Sequence, residues 1–169
     1  MEVAGVARGL GECATPLVSR HDLVMFDMDG VVKVGGRPVA GAAEHIAGVR
    51  THGTQVAFVT NNASRTPEQV AQQLTSFGVA ATSRDVVTSA QAAARLVVDQ
   101  HGPGAPVWVL GGEGLRAAVH EAGLVATDEE SRAVALLSGY GPDVLWRDIL
   151  HAAVLVRGGL PYVASNTDS

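Results

Sequence analysis

The chain has 169 residues, the size of one ordinary domain or of one small domain plus part of another, and 47% of it is apolar, which supplies a core and excludes disorder as its main state. Charged residues make up only 17%, below the roughly 25% of typical soluble domains, so elements buried on both faces are expected. A formal charge of −5 and a pI near 5.6 exclude the broad basic footprint of a nucleic-acid binder and leave room for a local anion site. The single cysteine, Cys13, cannot form an intrachain disulfide, and no Cys/His framework suits zinc. A reducing, cytoplasmic location is the simplest expectation. The first twenty residues lack the apolar run of a signal peptide, and no eighteen-residue apolar stretch is available to span a membrane. Any role requiring lysine has one candidate, Lys33.

Residues 1–20 lack clean periodicity and read as a loose lead-in with a short helical piece near Leu17. Residues 22–27 (D-L-V-M-F-D) are a short apolar stretch between polar ends, which predicts a buried strand. Gly30, Gly35, Gly36 and Pro38 mark a loop. Ala43, Ile46, Ala47 and Val49 sit at helical spacing within residues 41–52, with Gly53 as a C-cap. Residues 55–60 (Q-V-A-F-V-T) form a second apolar strand ending in a polar cluster. Thr66, Pro67 and Gln69 make a capping-box start for a helix that ends at Gly78. A third helix follows Thr88-Ser89 and stops near His101-Gly102-Pro103.

After Pro106 the order is strand 107–110, helix 115–122, strand 124–126, strand 134–137, helix 143–157 and strand 162–164. Alternating strands and helices predict parallel α/β construction. The expected division is a lead-in over residues 1–20, one unit over 21–102 and a second over 103–169, split at the Gly102–Pro106 cluster.

Chemistry is concentrated in Asp27-Met28-Asp29-Gly30, at the end of the first strand, because ligands of open α/β sheets gather outside the strands' carboxyl ends. On spacing alone Asp29-Gly30 is equally an ordinary turn. The second strand also ends in hydrogen-bonding residues, Thr60, Asn61 and Asn62, and neighbouring strands would bring both clusters to one edge.

These segments, with Gly35-Gly36-Arg37-Pro38, F-V-T-N-N-A-S-R over residues 58–65 and D-V-V-T-S-A over residues 85–90, resemble the haloacid dehalogenase-like phosphatases, in the subfamily with a large α/β cap. The resemblance implies a doubly wound, Rossmann-like parallel core carrying part of that cap. It also implies a small phosphomonoester substrate, with no nucleic acid or membrane partner, and association of copies through the cap. By resemblance Asp27 is the nucleophile that forms an aspartyl-phosphate. Asp29 is the general acid and base, a role for which burial or a neighbouring carboxylate would keep a proton on it near neutral pH. Thr60 and Asn61 bind the phosphate, and Mg²⁺ sits on the Asp27 carboxylate and the Asp29 carbonyl. Asn166 and Asp168 are candidate cap contacts to the leaving group, alongside a plain-turn reading of the same residues.

Two departures accompany the resemblance. The lysine of the family's third motif and the acidic Mg²⁺ ligand of its fourth are not found, and Lys33, just past the first motif, reads as a solvated loop residue. The chain is therefore expected to be the amino-terminal portion of a longer phosphatase, inactive by itself. A rival reading is a dinucleotide fingerprint, Gly112-Glu113-Gly114-Leu115-Arg116-Ala117 with Asp128 downstream. Against it, Glu113 places negative charge where a pyrophosphate would sit. A third is a non-catalytic interaction fragment. Trp108 and Trp146 read as core aromatics of the cap.

Overall fold

A computed structural model describes residues 15–167; Cys13 and Asp168 fall outside the described residues. After a short 3₁₀ turn at Leu17–Arg20 come β1 (Leu23–Asp27), β2 (Lys33–Val34), β3 (Arg37–Pro38), α1 (Ala42–Thr51), β4 (Gln55–Thr60), α2 (Pro67–Ser76), β5 (Val86–Thr88) and α3 (Ser89–His101). The second half holds β6 (Pro106–Leu110), α4 (Glu113–Glu121), β7 (Val125–Ala126), β8 (Ala135–Ser138), α5 (Trp146–Arg157) and β9 (Tyr162–Ala164). The α/β class read from the sequence is the one observed. All strand pairs in the two larger sheets are parallel.

The first sheet runs β1-β4-β5. Its inward side chains, Val56, Phe58 and Val86, pack with Ile46 of α1 and Val70, Ala71 and Leu74 of α2. The opposite face carries Leu23 and Met25, the latter 68% exposed, together with Val59 and Val87. The fully buried strand expected over residues 22–27 is thus half-covered. A continuous apolar run does not distinguish the two cases.

The second sheet runs β7-β6-β8-β9, with winding that reverses about β6. Helices α3 and α4 cover one face through Ala90, Ala93, Ala94, Val97, Leu115 and Ala118, packed on Val107, Val109, Ala135 and Leu137. Its other face is crossed by α5, which buries Ala152 and leaves Trp146 70% exposed. The core role expected of Trp146 is therefore not met, whereas Trp108 packs edge-on against the His151 ring. Because α3 contributes its buried side to the second cluster, the hydrophobic packing divides near Thr88.

Local chemistry accounts for the element boundaries. Thr66 accepts the Gln69 amide hydrogen at 3.3 Å while Gln69 Oε1 accepts the Thr66 N–H at 3.0 Å, the reciprocal box expected for α2. Thr88 and Gln91 repeat it at α3. Helix α5 begins three residues later than expected. The segment after Gly141-Pro142 first closes a turn, Val144 N–H to Gly141 O, and Asp148 then accepts the Leu145 N–H at 3.1 Å to start the helix.

Candidate active site

Strands β1 and β4 are parallel neighbours with Asp27 opposite Val59, so Thr60 lies one residue beyond Asp27 at the same carboxyl edge. Asp27 Oδ1 accepts the Met28 N–H at 2.7 Å, which orients the carboxylate. Met28 and Val32 are buried beneath the following turn, and Met28 O accepts both the Val32 and Lys33 amides at 3.0 and 2.9 Å. Gly30 has φ +83°, a conformation that suits a residue without Cβ. The turn brings Lys33 back beside Asp29, and the two side chains form an ion pair.

At the neighbouring strand end Thr60 is buried and its hydroxyl oxygen accepts the Asn62 N–H at 3.2 Å. Asn62 Oδ1 accepts the Ser64 amide and hydroxyl hydrogens at 2.7 and 2.8 Å. Ser64 O in turn accepts the N–H of Gly114, in the first turn of α4, at 3.0 Å. A cavity of about 240 Å³ opens beside this loop, bordered by Lys33, Gly35, Gly36, Thr60, Asn62 and Arg65. Asp27 and Asp29 stand at the same strand end outside the lining of that cavity, so carboxylates, a hydroxyl and two cations share one sheet edge.

A family model described as haloacid dehalogenase-like hydrolase matches residues 24–125, more than half of the chain. This chain belongs to the haloacid dehalogenase-like hydrolases. It is 40% identical over 153 residues to a D-glycerol 3-phosphate phosphatase of Mycobacterium tuberculosis, covering 90% of this chain and 42% of that one. With an acid sugar phosphatase of Staphylococcus haemolyticus the identity is 35%, over 85% of this chain and 54% of the relative. The crystal structure of the M. tuberculosis glycerol phosphate phosphatase in complex with magnesium superposes with a TM-score of 0.82 at 40% identity, over 89% of this chain and 46% of the other. A p-nitrophenyl phosphatase from Archaeoglobus fulgidus gives 0.76 at 26% identity, over 86% and 55%. The chain spans about half the length of the curated relatives it matches.

Set on the family's frame, several residues stand where the sequence did not put them. Lys33 is not solvated: its side chain is 14% exposed, against 52% for Asp29. The β2–β3 hairpin causes this, because its Gly35-Gly36 turn folds the strand bearing Lys33 back over the site. Asp29 lacks the burial expected of it, and its ion partner is a cation, Lys33. Asn62 borders the cavity, whereas Asn61, exposed, accepts the Ser89 hydroxyl hydrogen on its carbonyl at 2.8 Å. Asn62 belongs to the same polar cluster as Asn61, and only the direction of the backbone after Thr60 separates the two. Asn166 is exposed just past β9.

The dinucleotide reading of Gly112-Glu113-Gly114 fails on packing. A Cβ on Gly114 would lie 2.4 Å from Arg65 O and 2.6 Å from Ala63 O, so this glycine exists to let α4 meet the loop after β4. Its amide is taken by Ser64, and Glu113 Oε2 accepts from Gln69 Nε2 at 2.9 Å. The larger cavity over this segment, about 670 Å³, has Glu113, Asp128, Asp143 and Asp148 on its wall against Arg116 and His151, a charge balance that opposes a pyrophosphate.

Proposed function

We propose that the protein is a Mg²⁺-dependent phosphomonoester hydrolase acting through an aspartyl-phosphate on a small phosphorylated metabolite. The observation that carries this reading is the convergence of Asp27, Asp29 and Thr60 at the carboxyl edge of two adjacent parallel strands, beside a cavity with cationic walls. An oxygen of the Asp27 carboxylate attacks phosphorus, the bond to the ester oxygen breaks, and Asp29 gives its proton to the leaving alkoxide. Water then attacks the same phosphorus with Asp29 accepting its proton, releasing phosphate and restoring Asp27. Thr60 and Asn62 supply hydrogen bonds to the phosphoryl oxygens, where positioning and charge stabilisation carry most of the catalysis.

The metal's donors are oxygens only, the Asp27 carboxylate and the Asp29 carbonyl, and these suit a hard cation. Among the described residues no cluster of three His, Cys, Asp or Glu side chains exists, so the set held here is partial. When bound, Mg²⁺ supplies charge that lets carboxylate and phosphate approach. The M. tuberculosis relative, solved with magnesium, supports this choice.

Glycerol-3-phosphate and phosphoglycolate head the substrate list, followed by nucleoside monophosphates. Little or no turnover by the 169 residues alone belongs to the same reading, since the family's third-motif lysine and fourth-motif carboxylate are not among them. So do a cytoplasmic location and pairing of copies through the second unit. No helix among the described residues is long and apolar enough to cross a membrane. The test is thermal stabilisation and hydrolysis: Mg²⁺ with a phosphate mimic should raise the melting temperature, and in an intact version of the protein 4-nitrophenyl phosphate should be cleaved in Mg²⁺ and spared in EDTA. Stabilisation by NAD alone would restore the dinucleotide reading, and stabilisation by neither would favour an interaction fragment.

A further inference from the structure

We propose that the larger cavity, in the second unit, is a small-molecule site for an organic ammonium ion carried on a short apolar or aromatic body. It is separate from the candidate phosphatase site and does not depend on that reading.

Topology places the cavity. In the all-parallel order β7-β6-β8-β9 the chain leaves β6 through α4 toward β7, then crosses back to β8 on the other side, so the winding reverses between β6 and β8. At such a reversal the connections after the two neighbouring strands depart to opposite faces of the sheet. They leave a crevice outside the carboxyl ends, where open α/β sheets take their ligands. Here α4 packs on one face and α5 crosses the other. The cavity, about 670 Å³, is bordered by both connections: Gly111, Gly112 and Glu113 after β6, and Asp143, Val144 and Asp148 after β8. That volume lies within the ~300–1,000 Å³ of small-molecule sites.

The lining decides the class of ligand. Trp108, Leu110, Ala117 and Val144 supply apolar surface, and the Trp108 indole stands edge-on to the His151 ring, with centroids 4.7 Å apart. Four carboxylates, Glu113, Asp128, Asp143 and Asp148, share the wall with one guanidinium, Arg116. Two of the acids are engaged: Glu113 Oε2 accepts from Gln69 Nε2 at 2.9 Å, and Asp148 accepts the Leu145 N–H at 3.1 Å. His151 is engaged too, by Glu130 at 2.6 Å, which lies outside the lining. Among the described residues the side chains of Asp128, Asp143 and Arg116 form no hydrogen bond or ion pair. The excess of negative charge draws a cation, and an indole face adds to its hold. A metal ion needs roughly six oxygens at about 2.0–2.6 Å, yet no three His, Cys, Asp or Glu side chains among the described residues converge to hold one. The acids are spread around the wall. An ammonium needs only one or two of them as acceptors, and the carbon body behind it covers the apolar side.

The test is Trp108 fluorescence in the 169-residue chain carrying Trp146→Phe, which leaves one indole; Trp146 is 70% exposed and does not line the cavity. The ligands 2-phenylethylamine, 2-phenylethanol and phenylacetate share one ring and differ in charge. The amine should saturate a change in Trp108 emission at one site per chain. It should bind at least about tenfold more tightly than the alcohol, the size of one charge-assisted hydrogen bond, and phenylacetate should bind weakest. Asp128→Asn combined with Asp143→Asn should cut amine affinity about tenfold. Asp22→Asn combined with Asp99→Asn, the same loss of charge away from the cavity, should change it less than about twofold. Equal affinities for amine and alcohol overturn the proposal, as does tightest binding of phenylacetate, which would give the cavity to Arg116. Displacement of the amine by equimolar Mg²⁺ overturns it in favour of a metal site. So does the lack of saturable binding below about 10 mM, or equal weakening by the two aspartate pairs. If the Asp128→Asn, Asp143→Asn chain fails to fold, Asp143→Asn alone decides, with a loss of about threefold expected against the same control. None of these outcomes touches the phosphatase reading, whose own test uses Mg²⁺ with a phosphate mimic.

Discussion

The molecule contains two strand-to-helix crossings of similar outline and different use. From β4 to α2 the chain leaves a parallel strand through Thr60, Asn61 and Asn62 and enters a helix capped by its own Thr66. From β6 to α4 it leaves through Gly111 and Gly112 and enters a helix with no side-chain cap. In the first, hydroxyl and amide groups border a cavity. In the second, the first-turn amide of Gly114 is filled by Ser64 O, and Gly112 would meet Gly141 Cα at 3.2 Å if it bore a Cβ. Glycines after a strand are thus as well suited to meeting another backbone as to cradling an anion. What decides is the partner of the helix's first amides. Here that partner is the loop of the other crossing, so Thr60, Asn62, Ser64 and Gly114 form one continuous run of hydrogen bonds from the candidate site into α4.

The largest expected effect separates chemistry from packing. Asp27→Asn in a form of the protein that turns over should lower phosphomonoester hydrolysis by at least about 10³-fold, as loss of a covalent nucleophile does, and abolish the phospho-enzyme. The melting temperature should stay put, because the side chain is exposed and its one bond is to the adjacent amide. Residual hydrolysis above one-tenth of the parent rate would break the comparison at its chemical end.

Next in size is Gly114→Ala. The added methyl meets backbone carbonyls of Ala63 and Arg65, which cannot rotate aside, so overpacking of about 1–3 kcal/mol is expected. At roughly 2–4 °C per kcal/mol for a chain of this size, differential scanning fluorimetry should show a drop of about 2–12 °C. Because the displaced loop carries Asn62 and Arg65, phosphate affinity should fall as well. Gly48→Ala is the contrast: the residue lies inside α1 with nothing within 4 Å of a new Cβ, and about 0.5–1 kcal/mol of stabilisation follows from helix propensity. Equal responses of the two glycines would remove the distinction between packing and spacer positions.

The difference between the crossings bears on what the sequence could reveal. The strand ends at Asp27 and Thr60 were legible because an apolar run that stops at polar residues is a local signal, and parallel α/β order makes such ends converge. Capping at Thr66 was legible for the same reason. The half-burial of Lys33 was not, since it depends on a hairpin of two-residue strands too short to show a period. Strand β5, three residues long with both ends buried, was missed likewise. Gly112 and Gly114 left a rival reading open because a glycine pattern records the need for space without saying who fills it. Asn62 was separable from Asn61 only by knowing which way the backbone turns after Thr60.

A smaller effect tests the self-capped crossing. Thr66→Ala removes the acceptor for the Gln69 amide and should destabilise by about 1 kcal/mol, a shift of roughly 2–4 °C. Thr66→Ser should restore most of it. If Thr66→Ala leaves the midpoint unchanged, α2 takes its start from packing against the first sheet, and the two crossings are more alike than their caps suggest.

The smallest effect lies two residues further along, in the first turn of the same helix. Glu68, in the first turn of α2, is held below the ordinary carboxylate range, first by its own backbone N–H, then by hydrogen bonds from Ser83 and Thr66, with desolvation opposing slightly. A carboxylate lowered in the folded state adds stability that is present above the unfolded value and lost as pH falls through the folded one. Glu68→Gln should therefore lower the melting temperature at pH 7 by about 1 °C or less, and the difference should shrink as the pH falls below the ordinary carboxylate value and through the lower folded one. The group is exposed, so added salt should shrink even that difference. At α4 the first-turn acid, Glu113, bonds across to Gln69 instead of serving its own helix end. A Glu68→Gln offset that did not shrink with falling pH would show that shape and not charge holds the start of α2, and would leave the two helix starts distinguished by contact alone.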